Sequence, residues 1–113
     1  MDEKIYRDDD VDLSILGGRT LAVLGYGIQG KAQAANARDS GCTVIVGTRP
    51  AAESDSYARA QADGFEVCEY GEAVRKADIL LIELADPAQP PVYRDSIAPN
   101  LRDGQTLVFC HGF

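Results

Sequence analysis

Residues 20–36, Thr20-Leu21-Ala22-Val23-Leu24-Gly25-Tyr26-Gly27-Ile28-Gln29-Gly30-Lys31-Ala32-Gln33-Ala34-Ala35-Asn36, place three glycines at G-x-G-x-x-G spacing between an apolar run and an alanine-rich one. The apolar run, 21–24, is partly β-branched and suits a buried parallel strand, while 29–38 holds mostly good helix formers. Each glycine answers a separate need of a strand-turn-helix unit that binds a dinucleotide. Gly25 permits the sharp turn, Gly27 lets backbone approach a pyrophosphate, and Gly30 lets the helix pack close to the sheet. The helix then offers free N–H groups and its positive dipole end to the phosphates. A glycine turn can also merely connect two elements, and the context decides between these readings. A second apolar strand at 43–46 arrives where a βαβ unit requires one.

With 113 residues the chain is one domain by length and able to bury about two thirds of its unfolded surface. Its formal charge of −7 argues against general affinity for nucleic acid or anionic membrane, so a polyanionic cofactor would be held locally by amides and a few basic side chains. The longest apolar run, near 79–82, is far too short to span a bilayer, and the acidic start is unlike a signal peptide; the sequence reads as cytoplasmic. Cys42, Cys68 and Cys110 are odd in number and form no C-x-x-C, which suggests buried reduced thiols rather than disulfides or zinc.

The remaining segments read in order as alternating strands and helices. Residues 1–18 form an acidic arm, extended over the surface, with a short turn at 13–16. The second strand, 42–47, ends in Gly47-Thr48-Arg49-Pro50, where dinucleotide folds contact the adenosine ribose. No carboxylate stands there, and Arg49 with Ser54 and Ser56 suits the 2′-phosphate of NADP, which is favoured over NAD. Glu53 and Asp55 would oppose that phosphate if they faced it, and Ser54 and Asp55 also suit the start of the helix expected at 56–63. A strand at 65–68, a helix at 71–76 and a near-continuous apolar strand at 79–84 follow. The loop Asp86-Pro87-Ala88-Gln89-Pro90-Pro91 lies after that strand, where it either borders the nicotinamide or is simply a stiffened turn. A helix begins at Val92 and is interrupted near Pro99, and a fifth strand spans 105–110. His111, the only histidine, stands just past that strand as a candidate catalytic residue, with a structural role equally compatible. The whole is expected to be a doubly wound parallel α/β sheet of Rossmann type, a three-layer sandwich.

These segments together resemble the N-terminal domain of the ketol-acid reductoisomerase (acetohydroxyacid isomeroreductase) family. The resemblance rests on Lys4-Ile5-Tyr6, Asp12-Leu13-Ser14, the turn from Gly25 to Gly30, Arg38-Asp39-Ser40-Gly41, Val46-Gly47-Thr48-Arg49-Pro50, Ala62-Asp63-Gly64-Phe65 and His111-Gly112-Phe113. It implies NADPH, sometimes NADH, and Mg²⁺-dependent conversion of an acetohydroxy acid to a dihydroxy acid in branched-chain amino-acid biosynthesis, with alkyl migration before hydride reduction. It also implies that the glycine turn holds the pyrophosphate, that Arg49, Ser54 and Ser56 lie at the 2′-phosphate, and that His111 sits near substrate and nicotinamide. The loop order Leu84-Ala85-Asp86-Pro87 departs from the Leu-x-Pro-Asp common in the family. The family's C-terminal helical domain, which supplies the Mg²⁺ carboxylates and most of the substrate pocket, has no counterpart here. The chain reads as an excised fragment or truncated homologue, with the metal site supplied by that domain or through a homo-oligomer. An NADP-dependent β-hydroxyacid-dehydrogenase-like domain and a standalone nucleotide-sensing module are the alternatives.

Overall fold

The computed structural model describes residues 3–110. Five strands, β1 (Thr20–Leu24), β2 (Thr43–Thr48), β3 (Glu66–Glu69), β4 (Ile79–Ile82) and β5 (Thr106–Phe109), form one sheet in the order β3-β2-β1-β4-β5. Every neighbouring pair is parallel, so each connection must cross the sheet. The helices α1 (Ile28–Asp39), α2 (Asp55–Ala62), α3 (Tyr70–Lys76) and α4 (Gln89–Val92) provide those crossings. The doubly wound three-layer expectation holds.

Strand periodicity assigns the two faces. Ala22, Leu24, Ile45, Leu80 and Ile82 point to one side, where they meet Ala73 and Val74 of α3 and Ile97 beyond α4. Val23 and Val46 point to the other, against Ala34 of α1, Ala60 of α2, Tyr26 and Phe65. The alanines keep α1 and α2 close to the sheet, and Ala34 and Ala60 are fully buried. Gly47 is required for the same reason. A Cβ there would lie 2.6 Å from Leu24 Cδ2 and 3.0 Å from Ala73 Cβ, closer than packed carbons tolerate.

The segment after β4 differs from the expected loop. Asp86–Ala88 is a 3₁₀ turn, α4 follows at once, and a π-helical turn (Tyr93–Ile97) and another 3₁₀ turn (Ala98–Asn100) complete the run. Pro87, Pro90 and Pro99 sit at the starts of the first 3₁₀ turn, of α4 and of the last 3₁₀ turn, positions where proline is tolerated. Proline therefore starts short helices here instead of excluding them. The strand at 79–84 is likewise shorter than its apolar run, since β4 ends at Ile82.

The arm carries 3₁₀ turns at Asp8–Asp10 and Leu13–Leu16, the second capped by the Asp12 carboxylate, which accepts the Ser14 N–H at 3.0 Å. Its apolar residues Ile5 and Tyr6 are exposed rather than packed. Of the cysteines, Cys68 is buried and Cys42 half-buried, but Cys110 is exposed, which corrects the expectation of buried thiols. Burial pushes the Cys68 thiol up to about 11.

The start of the sheet is fastened by Asp78. Its carboxylate accepts the Thr20 N–H at 2.9 Å and faces the Arg102 guanidinium at 3.6 Å. The Thr20 bond first, and Arg102 with it, hold Asp78 below the usual carboxylate value. A depressed carboxylate stabilises the fold above its unfolded pKa of about 3.9, and that contribution is lost as pH falls through the lower folded value. Asp78→Asn is therefore expected to lower the melting temperature at pH 7 and to flatten its fall between about pH 5 and pH 3. Parallel melting curves for variant and parent over that range would contradict this role.

Candidate dinucleotide site

The chain enters the sheet at its centre, builds outward through β2 and β3, then returns to lay β4 on the other side of β1. Strand order thus reverses between β1 and β4, and a crevice opens beyond the carboxyl ends of these strands. It has a volume of ≈ 710 Å³. A smaller cavity of ≈ 290 Å³ continues it past the end of β2, and Thr48, Arg49 and Tyr70 line both.

One wall is the glycine turn, with Gly25, Tyr26, Gly27, Ile28, Gln29 and Gly30 all on the crevice. Gly25 has φ +102°, a conformation strained for residues with a Cβ. Its N–H donates to the Gly47 carbonyl at 2.9 Å, which ties the turn to the end of β2. At Gly30 a Cβ would fall 2.3 Å from the Gly25 carbonyl oxygen, so backbone meets backbone with no room for a side chain. Gly27 is different, since nothing lies within 4 Å of the position its Cβ would take. The space above it is open. Gly27 is also the N-cap of α1 and offers no side-chain cap. The first helical bond runs from the Lys31 N–H to the Gly27 carbonyl at 3.0 Å, so the amides of Ile28, Gln29 and Gly30 precede the helical ladder. This is a cradle for an anion formed by amides and helix dipole, and it fits a pyrophosphate.

Tyr26 contributes its backbone to the crevice, while its ring turns away into the core. It is 2% exposed, packs edge-on to Phe65 with ring centroids 6.0 Å apart, and donates its hydroxyl to the Asp63 carboxylate. Burial, and then the Asp63 partner, push the Tyr26 phenol up to about 12. The same bond leads the causes that lower Asp63, whose other neighbours are Lys31 at 3.6 Å and Arg38. The turn is thereby anchored to the end of α2.

The β2 side carries Arg49, Ser54 and Ser56, all on the crevice. Arg49 is exposed, and its charge opposes the upward shift that burial gives the Tyr70 phenol. Ser54 is the N-cap of α2, its Oγ accepting the Ser56 N–H at 3.1 Å, so the capping role weighed from sequence is the one observed. Glu53 and Asp55 are exposed and are not among the residues lining the crevice.

On the β4 side, exposed Asp86 lines the crevice at the start of its 3₁₀ turn. Gln89 pins the approach by donating to the Leu84 carbonyl at 2.9 Å. Cys110 closes the far rim and donates its S–H to Glu83 Oε1 at 2.9 Å. Partial enclosure and the Glu83 carboxylate push that thiol up to about 11, which keeps it protonated at neutral pH. His111 lies outside the described residues. Among the described residues no group of three or more His, Cys, Asp or Glu is placed to hold a metal ion.

Sequence reasoning missed Thr48, Tyr70, Glu83 and Arg59. Thr48 is 1% exposed, and its Oγ1 donates to the Arg49 carbonyl at 2.7 Å, which shapes the backbone that presents Arg49. Arg59 donates to the Tyr26 carbonyl at 3.3 Å and to Ser56 Oγ at 3.0 Å. Only the helical i, i+3 spacing of Ser56 and Arg59 was available as a signal.

The two glycines that flank α1's first turn separate folding from binding. Gly30→Ala is expected to destabilise the fold by about 2–4 kcal/mol in denaturant unfolding, because strand turn and helix must part. Gly27→Ala should cost under about 1 kcal/mol, its new methyl entering open space. Equal losses at the two positions would contradict the geometry.

The family described as acetohydroxy acid isomeroreductase, NADPH-binding domain, matches residues 15–113. A ketol-acid reductoisomerase (NADP(+)) of Pyrobaculum calidifontis is 54% identical over 110 residues, which are 97% of this chain and 33% of that protein. The corresponding enzyme of Pyrococcus abyssi is also 54% identical over 97% of this chain, here 32% of the relative. The chain therefore spans about a third of the length of these relatives. Among solved structures, an NADH-preferring ketol-acid reductoisomerase from an uncultured archean superposes with a TM-score of 0.91 at 43% identity, covering 98% of this chain and 34% of that one. A putative D-3-phosphoglycerate dehydrogenase from Ralstonia solanacearum gives 0.67 at 30% identity, covering 84% and 27%. The chain belongs to the acetohydroxy acid isomeroreductase family, and the matched region is that family's NADPH-binding domain.

Proposed function

We propose that this stretch is the cofactor half of a ketol-acid reductoisomerase, holding NADPH in the crevice with its pyrophosphate on the amides of Ile28, Gln29 and Gly30. The observation that carries this reading is the open cradle above Gly27 at an uncapped helix N-terminus. Arg49, Ser54 and Ser56 would face the 2′-phosphate, Arg49 with a charge-assisted bond and the serines with hydroxyl protons. Asp86 would border the nicotinamide side, and His111 the reacting carbon. When bound, NADPH supplies the hydride for reducing a ketone; this chain's residues orient the dinucleotide and set which face it presents.

The acetohydroxy-acid substrate and the alkyl shift belong to the same proposal. The described residues do not fit a Mg²⁺ site, so its carboxylates would come from outside this stretch, through a further domain or a second copy. Exposed apolar residues beside the crevice support a covering partner: Ile28 is 93% exposed and Phe109 47% exposed. Alone, the chain is expected to bind cofactor without turning over 2-acetolactate, and Mg²⁺-dependent NADPH oxidation by it would contradict this.

The choice of nicotinamide cofactor rests on Arg49. The relative named NADH-preferring has a closely similar fold, so fold does not decide between the two. In calorimetric titrations NADPH should bind tighter than NADH, and Arg49→Ala should weaken NADPH by about 10- to 100-fold while changing NADH little. Gly27→Ala should weaken both. Tighter binding of NADH, or an Arg49→Ala variant with unchanged preference, would overturn the NADPH assignment.

A further inference from the structure

Arg59 is on α2, one turn beyond Ser56, and does not line the crevice, yet both of its acceptors do. Its Nη2 donates to Ser56 Oγ at 3.0 Å and to the Tyr26 carbonyl at 3.3 Å. One guanidinium therefore joins the two walls of the crevice, the glycine turn and the start of α2. The second consequence concerns protons. A serine hydroxyl has one proton to donate and two lone pairs to accept with. Ser56 Oγ already accepts from Arg59, and Ser54 Oγ already accepts the Ser56 N–H at 3.1 Å. Both hydroxyls have protein donors on their acceptor side, so both keep their protons for a ligand. Two hydroxyl donors on the crevice wall suit an anionic ligand.

Resting on the dinucleotide reading above, we propose that Arg59 is a positioning residue for the 2′-phosphate. It acts through Ser56, whose hydroxyl it sets as a donor, and it holds α2 at a fixed distance from the glycine turn. Arg49 meets the phosphate as a charge; Arg59 decides which way the serine beside it faces. Neither residue substitutes for the other, because Arg59's bonds go to protein acceptors.

The test compares adenosine 2′,5′-bisphosphate with adenosine 5′-monophosphate, which lacks the 2′-phosphate, in titrations of the parent chain, Arg59→Ala, Ser56→Ala and the double variant. Arg59→Ala is expected to weaken the bisphosphate by about five- to tenfold and the monophosphate by less than about twofold. In the double variant the loss should be no greater than in Ser56→Ala alone, since the two act as one unit. Arg59→Lys keeps the charge but ends one atom short of Nη2, the single nitrogen that makes both bonds, and should also lose about fivefold for the bisphosphate. It serves as the second variant if Arg59→Ala melts early. Losses that multiply in the double variant, full rescue by lysine, or equal losses for both ligands would each show that Arg59 acts only as distant charge or as scaffold, and would overturn the proposal. These results leave the dinucleotide reading intact, whereas a parent chain that binds no NADPH at all would remove both.

Discussion

The contact on which this structure depends is between backbone and backbone, where Gly30 of α1 comes against the carbonyl of Gly25. A side chain at Gly30 would lie 2.3 Å from that oxygen, so the helix can leave the strand only because none is there. This contact sets the angle at which α1 departs. With the angle fixed, Ala34 reaches the sheet, Val23 and Val46 are sealed beneath it, and the helix N-terminus aims across the end of β1. The anion cradle is thus a by-product of close packing. The same atoms that make the fold possible make the site possible.

Polar ties then hold the two walls in place. Tyr26 reaches under the turn to Asp63, Arg59 reaches from α2 to the Tyr26 carbonyl, and the Gly25 N–H bonds the Gly47 carbonyl. At the opposite end of the sheet Asp78 fastens the first residue of β1 and receives Arg102. Each tie joins segments far apart in sequence around the central strand, and those near the crevice involve residues that line it. Stability and site geometry are coupled here through a handful of hydrogen bonds, each worth about 1 kcal/mol.

How much of this was legible in the sequence depends on the range of the interaction. The parallel strands could be read because a strand covered on both faces must be apolar throughout, as 79–82 is. The glycine turn could be read because its requirements fall within six residues. The helix from Val92 could be read, but its earlier start in the 3₁₀ turn at Asp86 and in α4 was hidden, since prolines usually mark loops. Gly47 looked like an ordinary strand residue; its need comes from Leu24 and Ala73, which are distant in sequence. Arg59's bond to the Tyr26 carbonyl is likewise remote in sequence, and only its i, i+3 spacing from Ser56 was legible. The site residues named from sequence that fall within the described range do gather on one crevice, because the α/β topology brings the ends of β1, β2 and β4 together.

The matched family region is described as an NADPH-binding domain, and the chain spans about a third of its relatives' length. The central claim is that the first amides of α1 are the pyrophosphate site. Amide chemical-shift mapping of the ¹⁵N-labelled chain with NADPH tests it most directly. The largest perturbations should fall on Ile28, Gln29 and Gly30, with smaller ones reaching Arg49 and Ser56. Saturable binding that leaves those three amides unmoved would contradict the account and leave the glycine turn a purely structural device.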